Sequence, residues 1–182
     1  MSAIIQQVRQ TLNQEADEKT RNTGSTFFKE PVRLHGVKSA LVGKIGKTFF
    51  QEIKGQSKAR VFALCDELWR SGFLEESFIA CHWSYALRNQ YEPADLEIFE
   101  RWLQDYVDNW ASCDTLCNHT IGSFVMMYPG CLSRLKTWAQ SPDRWLRRAA
   151  AVSLIIPARE GKFLKDVFAI ADSLLLDQED LV

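Results

Sequence analysis

Long apolar runs are missing from this sequence. The most apolar stretch, Ala149 to Ile156, is far too short to cross a bilayer, and the first fourteen residues lack the basic patch and apolar centre of a signal peptide. A cytoplasmic protein with no membrane partner is therefore expected. Low-complexity segments are also missing, and 46% hydrophobic with 25% charged residues is the balance of a chain that folds. At 182 residues it suits a single domain, 1–182, with a substantial core. No segment sustains the apolar/polar alternation of a strand, which leaves an all-α chain. The cysteines Cys65, Cys81, Cys113, Cys117 and Cys131 are odd in number and sit mostly in apolar helical contexts, so they read as reduced, buried thiols. The competing reading is a metal gathered by Cys113, Cys117, His119 and Cys131, with Cys81-His82 further off. Zinc ligands usually pair across tight turns, however, and the spacing of Cys113 and Cys117 sets them one helical turn apart.

A large net charge is absent as well. The formal value of −1 excludes a uniformly basic nucleic-acid binder but hides an asymmetry: residues 1–60 carry eleven Lys/Arg against five Asp/Glu, residues 61–110 three against ten, and residues 111–182 eight of each. Lys and Arg placed along one side release counterions on binding DNA, so the first third is the candidate phosphate-facing surface. A merely solvated face explains the same pattern equally well.

What is present nearly everywhere is helical spacing. Ile4, Val8 and Leu12 mark a first helix that ends near the polar run Glu15 to Thr26. A second is expected from about Val37 to Ile53, with Gly55 just past it. Val61, Leu64, Cys65 and Leu68 line a third, closed by Ser71-Gly72, and Phe78, Cys81 and Tyr85 a fourth that fades at Asn89. Pro93 fits the first turn of a fifth helix, whose stripe is Leu96, Phe99, Leu103, Tyr106 and Val107. Ser112 suits the N-cap of a sixth, Cys113 to Met127, which Pro129-Gly130 breaks. A seventh covers about Cys131 to Ala139. Ser141-Pro142-Asp143 opens an eighth as N-cap, N1 proline and acid, and Pro157 stops it; a last runs from Lys162 to about Leu176. Helices of about ten to fifteen residues joined by short loops, in successive antiparallel pairs, point to stacked helical hairpins rather than a closed bundle.

Two patches stand apart. In Tyr106-Val107-Asp108-Asn109-Trp110-Ala111-Ser112-Cys113-Asp114, Trp110 prolongs the apolar stripe as its helix ends and Asp114 falls in the first turn of the next, so a large aromatic and a carboxylate meet at an inter-helix joint. Taken alone, Trp110 reads more readily as core and Asp114 as a helix-terminus acid. In Asp143-Arg144-Trp145-Leu146-Arg147-Arg148-Ala149-Ala150-Ala151, the buried stripe forces Arg147 and Arg148 to the flank with their heads outward. A planar guanidinium gives two parallel hydrogen bonds to phosphate, although ordinary surface arginines fit as well.

The string Trp110-Ala111-Ser112-Cys113-Asp114, followed by Trp145-Leu146-Arg147-Arg148-Ala149-Ala150, resembles the DNA alkylation repair family of HEAT-like repeat glycosylases. Phe27-Phe28-Lys29 and Gly36-Val37-Lys38 resemble that family's amino-terminal signature. Each motif is short, but they lie in register across most of the chain. The resemblance implies an all-α HEAT-like helical-repeat superhelix that removes N3- and N7-alkylated purines from duplex DNA as a monomer, without metal or organic cofactor. It puts Trp110 and Asp114 at the lesion-bearing nucleotide and Arg148 beside the backbone as the catalytic set. It also puts Lys38 and Ser39 against the DNA strand, with Lys44 and Lys47 farther along; Arg147, as half of an arginine pair suited to phosphate, is a further candidate DNA contact. An alkylated purine is cationic and leaves readily, so the costly feature is the oxocarbenium-like charge on the sugar, which a carboxylate stabilises.

Two departures qualify the likeness. Phe27 stands where the family often has tyrosine, so a hydroxyl contact is lost. Family members also continue for another helical pair that supplies an aromatic wall of the cleft, whereas here Leu174-Leu175-Leu176 is followed closely by Leu181-Val182, and that pair is expected to be lacking. The rival functions are a catalytically weak or inactive DNA-binding member of the same family, and a helical-repeat protein that binds other proteins.

Overall fold

The computed structural model describes residues 2–182. Among these residues there is no strand, only an isolated bridge between Arg33 and Phe73, and the helices pack against neighbours in sequence as a helical-repeat all-α fold does. The chain divides into two compact units, residues 1–90 and 91–182. Among the described residues no helix is long and apolar enough to cross a membrane.

The first unit contains α1 (Ala3–Gln14), α2 (Glu18–Ser25), α3 (Ser39–Ile53), α4 (Lys58–Trp69) and α5 (Leu74–Ala86). Ile5, Val8 and Leu12 bury one face of α1, and Val61, Leu64, Cys65 and Leu68 one face of α4, as their spacing of three and four residues requires. Trp83 on α5 is fully buried and donates its indole N–H to the Gly46 carbonyl of α3 at 2.8 Å, so its one polar atom is satisfied.

The polar run at 15–26, to which the apolar spacing assigns no helix, contains α2. That helix buries no side chain. It is held from outside: Asp17 caps it by accepting from the Thr20 N–H at 2.7 Å, the Asp17 N–H donates to the Gly36 carbonyl at 2.9 Å, and Arg21 donates twice to the His35 carbonyl. Gly36 is indispensable to this join. Its φ is +93°, and a Cβ there would lie 2.7 Å from the Asp17 carbonyl and 2.8 Å from the Arg21 Cβ.

Two buried carboxylates at the start of α5 organise the same region. Glu75 accepts from the N–H groups of His35, Gly36 and Val37 at 3.0, 2.8 and 3.1 Å, replacing the partners that a loop backbone otherwise finds in water. Hydrogen bonds to a charged acceptor contribute about 1.5–3 kcal/mol each, so this one side chain fixes the segment leading into α3. Glu76, 1% exposed, receives Arg9 at 2.9 Å and the His35 ring at 3.1 Å. Burial pushes its carboxyl up, but the His35 hydrogen bond and Arg9 outweigh burial and hold it below the ordinary glutamate value.

The second unit contains α6 (Asp95–Tyr106), α7 (Trp110–Thr115), α8 (Gly122–Met127), α9 (Leu132–Trp138), α10 (Arg144–Val152), α11 (Ile155–Arg159) and α12 (Leu164–Leu174). Helix α10 is its hub and touches α6, α7, α9 and α12. Its buried stripe is Trp145, Leu146, Ala149, Ala150 and Val152, and small alanines let the neighbours approach. Phe99, Trp102, Phe124 and Trp138 are completely enclosed. Side chains of this size supply about 4–6 kcal/mol each at roughly 25 cal/mol per Å², before ordering entropy is subtracted. The Trp138 N–H donates to Glu100 at 2.9 Å, and Arg134 pairs with the same carboxylate at 2.8 Å.

Helix starts and stops here differ from expectation in four places. Asn109, not Ser112, caps α7: its side chain accepts from the Ser112 N–H at 2.9 Å, so Trp110 opens this helix instead of closing the previous one. The expected continuous helix after Cys113 widens into a π-helical segment, Leu116–Ile121, before α8. Asp143 rather than Ser141 caps α10, accepting from the Trp145 N–H at 2.8 Å. Pro157 does not stop a helix; it lies within α11, near enough to its start that the missing N–H costs no helical bond.

Because the folded-state value of Glu76 lies below the ordinary 4.5, its contribution to stability is present above that pH and lost as pH falls through the folded value. Glu76→Gln is expected to lower the urea midpoint near neutrality and to flatten the fall in stability below pH 4.5. A variant as acid-sensitive as the parent chain would contradict this.

Candidate active site

The charged centre of the second unit is built from α7 and α10. Asn109 starts α7, which places Trp110 and Asp114 one turn apart on one face. Asp114 therefore has no capping duty, and its carboxylate faces α10. Arg148 meets it in a bidentate pair, Nε to Oδ1 at 2.6 Å and Nη2 to Oδ2 at 2.7 Å. Both oxygens accept, the geometry of an ionised carboxylate facing a guanidinium fork. The Asp114 hydrogen bonds and charge hold Arg148 above even its ordinary high value. The pair is neither enclosed nor fully solvated: the Arg148 side chain is 18% exposed and that of Asp114 28%. Such a setting strengthens an ion pair relative to bulk water and leaves the remaining lone pairs of Asp114 reachable.

Trp110 is half-buried, which is not the full enclosure of a core tryptophan such as Trp102. Below this face, the buried Cys113 and Cys117 sulfurs approach to 4.0 Å, and the Cys113 thiol also points at the Trp145 carbonyl, 3.7 Å away. The contact with Cys117, followed by burial, pushes the Cys113 thiol well up. A thiol in that state is a small apolar filler between α7 and α10 rather than a nucleophile. Among the described residues no three His, Cys, Asp or Glu side chains are grouped as metal ligands would be.

Arg147 and Arg148 do not point outward together. Arg147 is 16% exposed and donates to both oxygens of Asp177 at 2.6 and 3.0 Å, and to the Ser141 and Pro142 carbonyls at 3.0 Å each. Arg148 donates, besides Asp114, to the Leu181 carbonyl. The Arg147 hydrogen bond, with the Glu179 N–H, in turn holds the Asp177 carboxyl below its usual range. Sequence reasoning missed this arrangement. Its only trace is the acidic run Asp177-Gln178-Glu179-Asp180.

The other expected contacts lie in the first unit. Lys38 precedes α3 and Ser39 is its first residue; both are exposed, in the position Glu75 fixes through His35, Gly36 and Val37. Lys44 and Lys47 project from one exposed face of α3, and among the described residues neither has an ion-pair partner. Phe27 is 70% exposed, an apolar ring at the surface.

The second unit thus sets a partly exposed carboxylate in a guanidinium fork one turn from a tryptophan, and α3 of the first unit carries Lys44 and Lys47 on one exposed face. Residues 8–182 match the family model described as DNA alkylation repair enzyme, and the chain belongs to that family, whose role is DNA repair. No curated protein sequence matches the chain.

Removal of the cap on α7 isolates how the site is held. Asn109→Ala is expected to cost roughly 1 kcal/mol, read as a lower urea midpoint at unchanged slope. Unchanged stability would mean that something other than Asn109 sets the start of α7.

Proposed function

We propose that the chain is a DNA glycosylase that hydrolyses the N-glycosidic bond of N3- and N7-alkylated purines in duplex DNA. The observation that supports this reading most is the bidentate Asp114–Arg148 pair, partly exposed and one turn from Trp110. In the proposed reaction the bond from the sugar C1′ to the purine nitrogen breaks and its electron pair leaves with the base, cancelling the cationic charge that alkylation introduced. Positive charge grows on the sugar. Asp114 stabilises it and orients the water that adds to C1′, and the water's proton passes to Asp114 or solvent. Trp110 offers an indole face to the cationic base and the sugar. Arg148 keeps Asp114 in place and reaches toward the backbone phosphate. Only side chains and water take part.

The magnitude is set by competition between two charges. A carboxylate about 4 Å from a unit positive charge contributes about 4 kcal/mol at an effective dielectric of about 20. The Arg148 guanidinium, on the far side of the carboxylate, offsets part of that. At about 1.4 kcal/mol per factor of ten, Asp114→Asn should slow release between about 10- and 1000-fold. The experiment is chromatographic detection of 7-methylguanine and 3-methyladenine released from methylated duplex DNA under single-turnover conditions. Undiminished release by Asp114→Asn would sink the assignment.

Lys38, Ser39, Lys44, Lys47 and Arg147 complete the proposed DNA contacts, with Arg147 the weakest candidate because Asp177 and two carbonyls hold it. Each lysine that neutralises a phosphate adds about one unit to the salt slope of binding. Lys44→Ala with Lys47→Ala should thus reduce that slope by about two in anisotropy titrations, whereas an unaltered slope would remove both from the interface. A second reading, a weakly catalytic DNA-binding member of the family, is favoured by the engagement of Arg148 with the Leu181 carbonyl. Salt-dependent binding without base release would select it.

A further inference from the structure

The segment after α12 is short, irregular and acidic, and it lies along the arginine side of α10. Three successive anchors hold it. Arg147 grips Asp177 through two hydrogen bonds, Arg144 pairs with Glu179 at 3.3 Å, and Arg148 donates to the Leu181 carbonyl. A turn closed by the Glu179 N–H on Asp177 Oδ1 at 2.9 Å presents the two carboxylates to neighbouring arginines. Two anions held in sequence by guanidinium groups are what a DNA strand offers through its phosphates. The donors on α10 that a backbone would need are therefore already in use.

We propose that residues 177–181 form an internal clasp that occupies the α10 arginine face and that duplex DNA must displace. This deepens the glycosylase reading and rests on it, because it assumes that DNA approaches Arg148. The outer anchor suits displacement, whereas the Arg147–Asp177 pair, 16% and 10% exposed, is the firmer hold that a phosphate has to replace. Arg144 and Glu179 are about a third or more exposed, a setting in which ion pairs are weak and screened by salt. Affinity for DNA is then reduced by the fraction of molecules in which the clasp is closed. Arg148 has two fates on opening: the Asp114 pair stays, and the donor released by Leu181 becomes available to a phosphate oxygen.

The test compares four proteins, each spanning residues 1–182, by anisotropy with a labelled duplex. They are the parent chain, Asp177→Asn with Glu179→Gln, a charge-matched control in which exposed Glu160 and Asp172 become Gln and Asn, and Arg148→Ala. The clasp variant should bind about three- to tenfold tighter than both parent and control. In the unaltered chain, amide hydrogen exchange at 177–182 should rise when the duplex is added. Equal affinities for clasp variant and control, or continued protection of 177–182 in the complex, would overturn the clasp. The exchange measurement needs no variant, so it decides even if the substitutions disturb folding. Failure of the clasp alone leaves Arg148→Ala with weakened duplex binding. If the parent chain binds no duplex, or Arg148→Ala binds as the parent does, the underlying functional reading fails with it.

Discussion

Two hydrogen bonds from Arg148 to Asp114 determine what the second unit can do. They join α7 to α10, the helix on which that unit is assembled, and they keep a carboxylate near the surface in a fixed direction. Neither partner would be stable there alone, since a charge half withdrawn from water needs either solvent or a counter-ion. The surrounding choices follow from this demand. Asn109 takes over the capping of α7 and so releases Asp114 from the helix terminus, the small alanines of α10 bring the backbones close, and the paired thiols of Cys113 and Cys117 fill the space below without adding charge.

The first unit uses carboxylates differently. Glu75 and Glu76 are buried, and they serve the backbone rather than a reaction: one gathers three consecutive N–H groups around Gly36, the other ties Arg9 and His35. Their effect is to hold the entry to α3, where Lys38 and Ser39 lie exposed. A cleft of about 650 Å³ opens beside this network, bounded by Arg9, His35, Phe73 and Glu76 among others. Its buried polar groups are already paired with one another, so it reads as part of the scaffold.

Apolar stripes made most of the fold legible. The faces of α1, α4, α6 and α10 follow directly from residues such as Val8, Leu64, Phe99 and Trp145 at helical spacing. Where burial was not the cause, pattern reading failed. Helix α2 buries nothing and depends on Asp17, Gly36 and Arg21, which come together only in three dimensions. The site was legible in part. Asp114 and Arg148 are separated by 34 positions, and no periodicity links them; likeness to a family set them in register, and the fold brings them into contact. The partners of Arg147 lay beyond reach because Asp177 follows the last helix without a spacing relation to α10. Asn109 and Ser112 compete at one joint and Ser141 and Asp143 at the other, and only the side-chain geometry selects Asn109 and Asp143.

The central claim is that Asp114 and Arg148 act as a single unit in excision of an alkylated purine. A double-mutant cycle on single-turnover release from methylated duplex DNA tests it directly, using Asp114→Asn, Arg148→Ala and both together. Groups that work as a unit lose nearly everything at the first substitution, so the double variant should be no slower than the slower single one. Losses that simply multiply would show two independent residues and contradict the account.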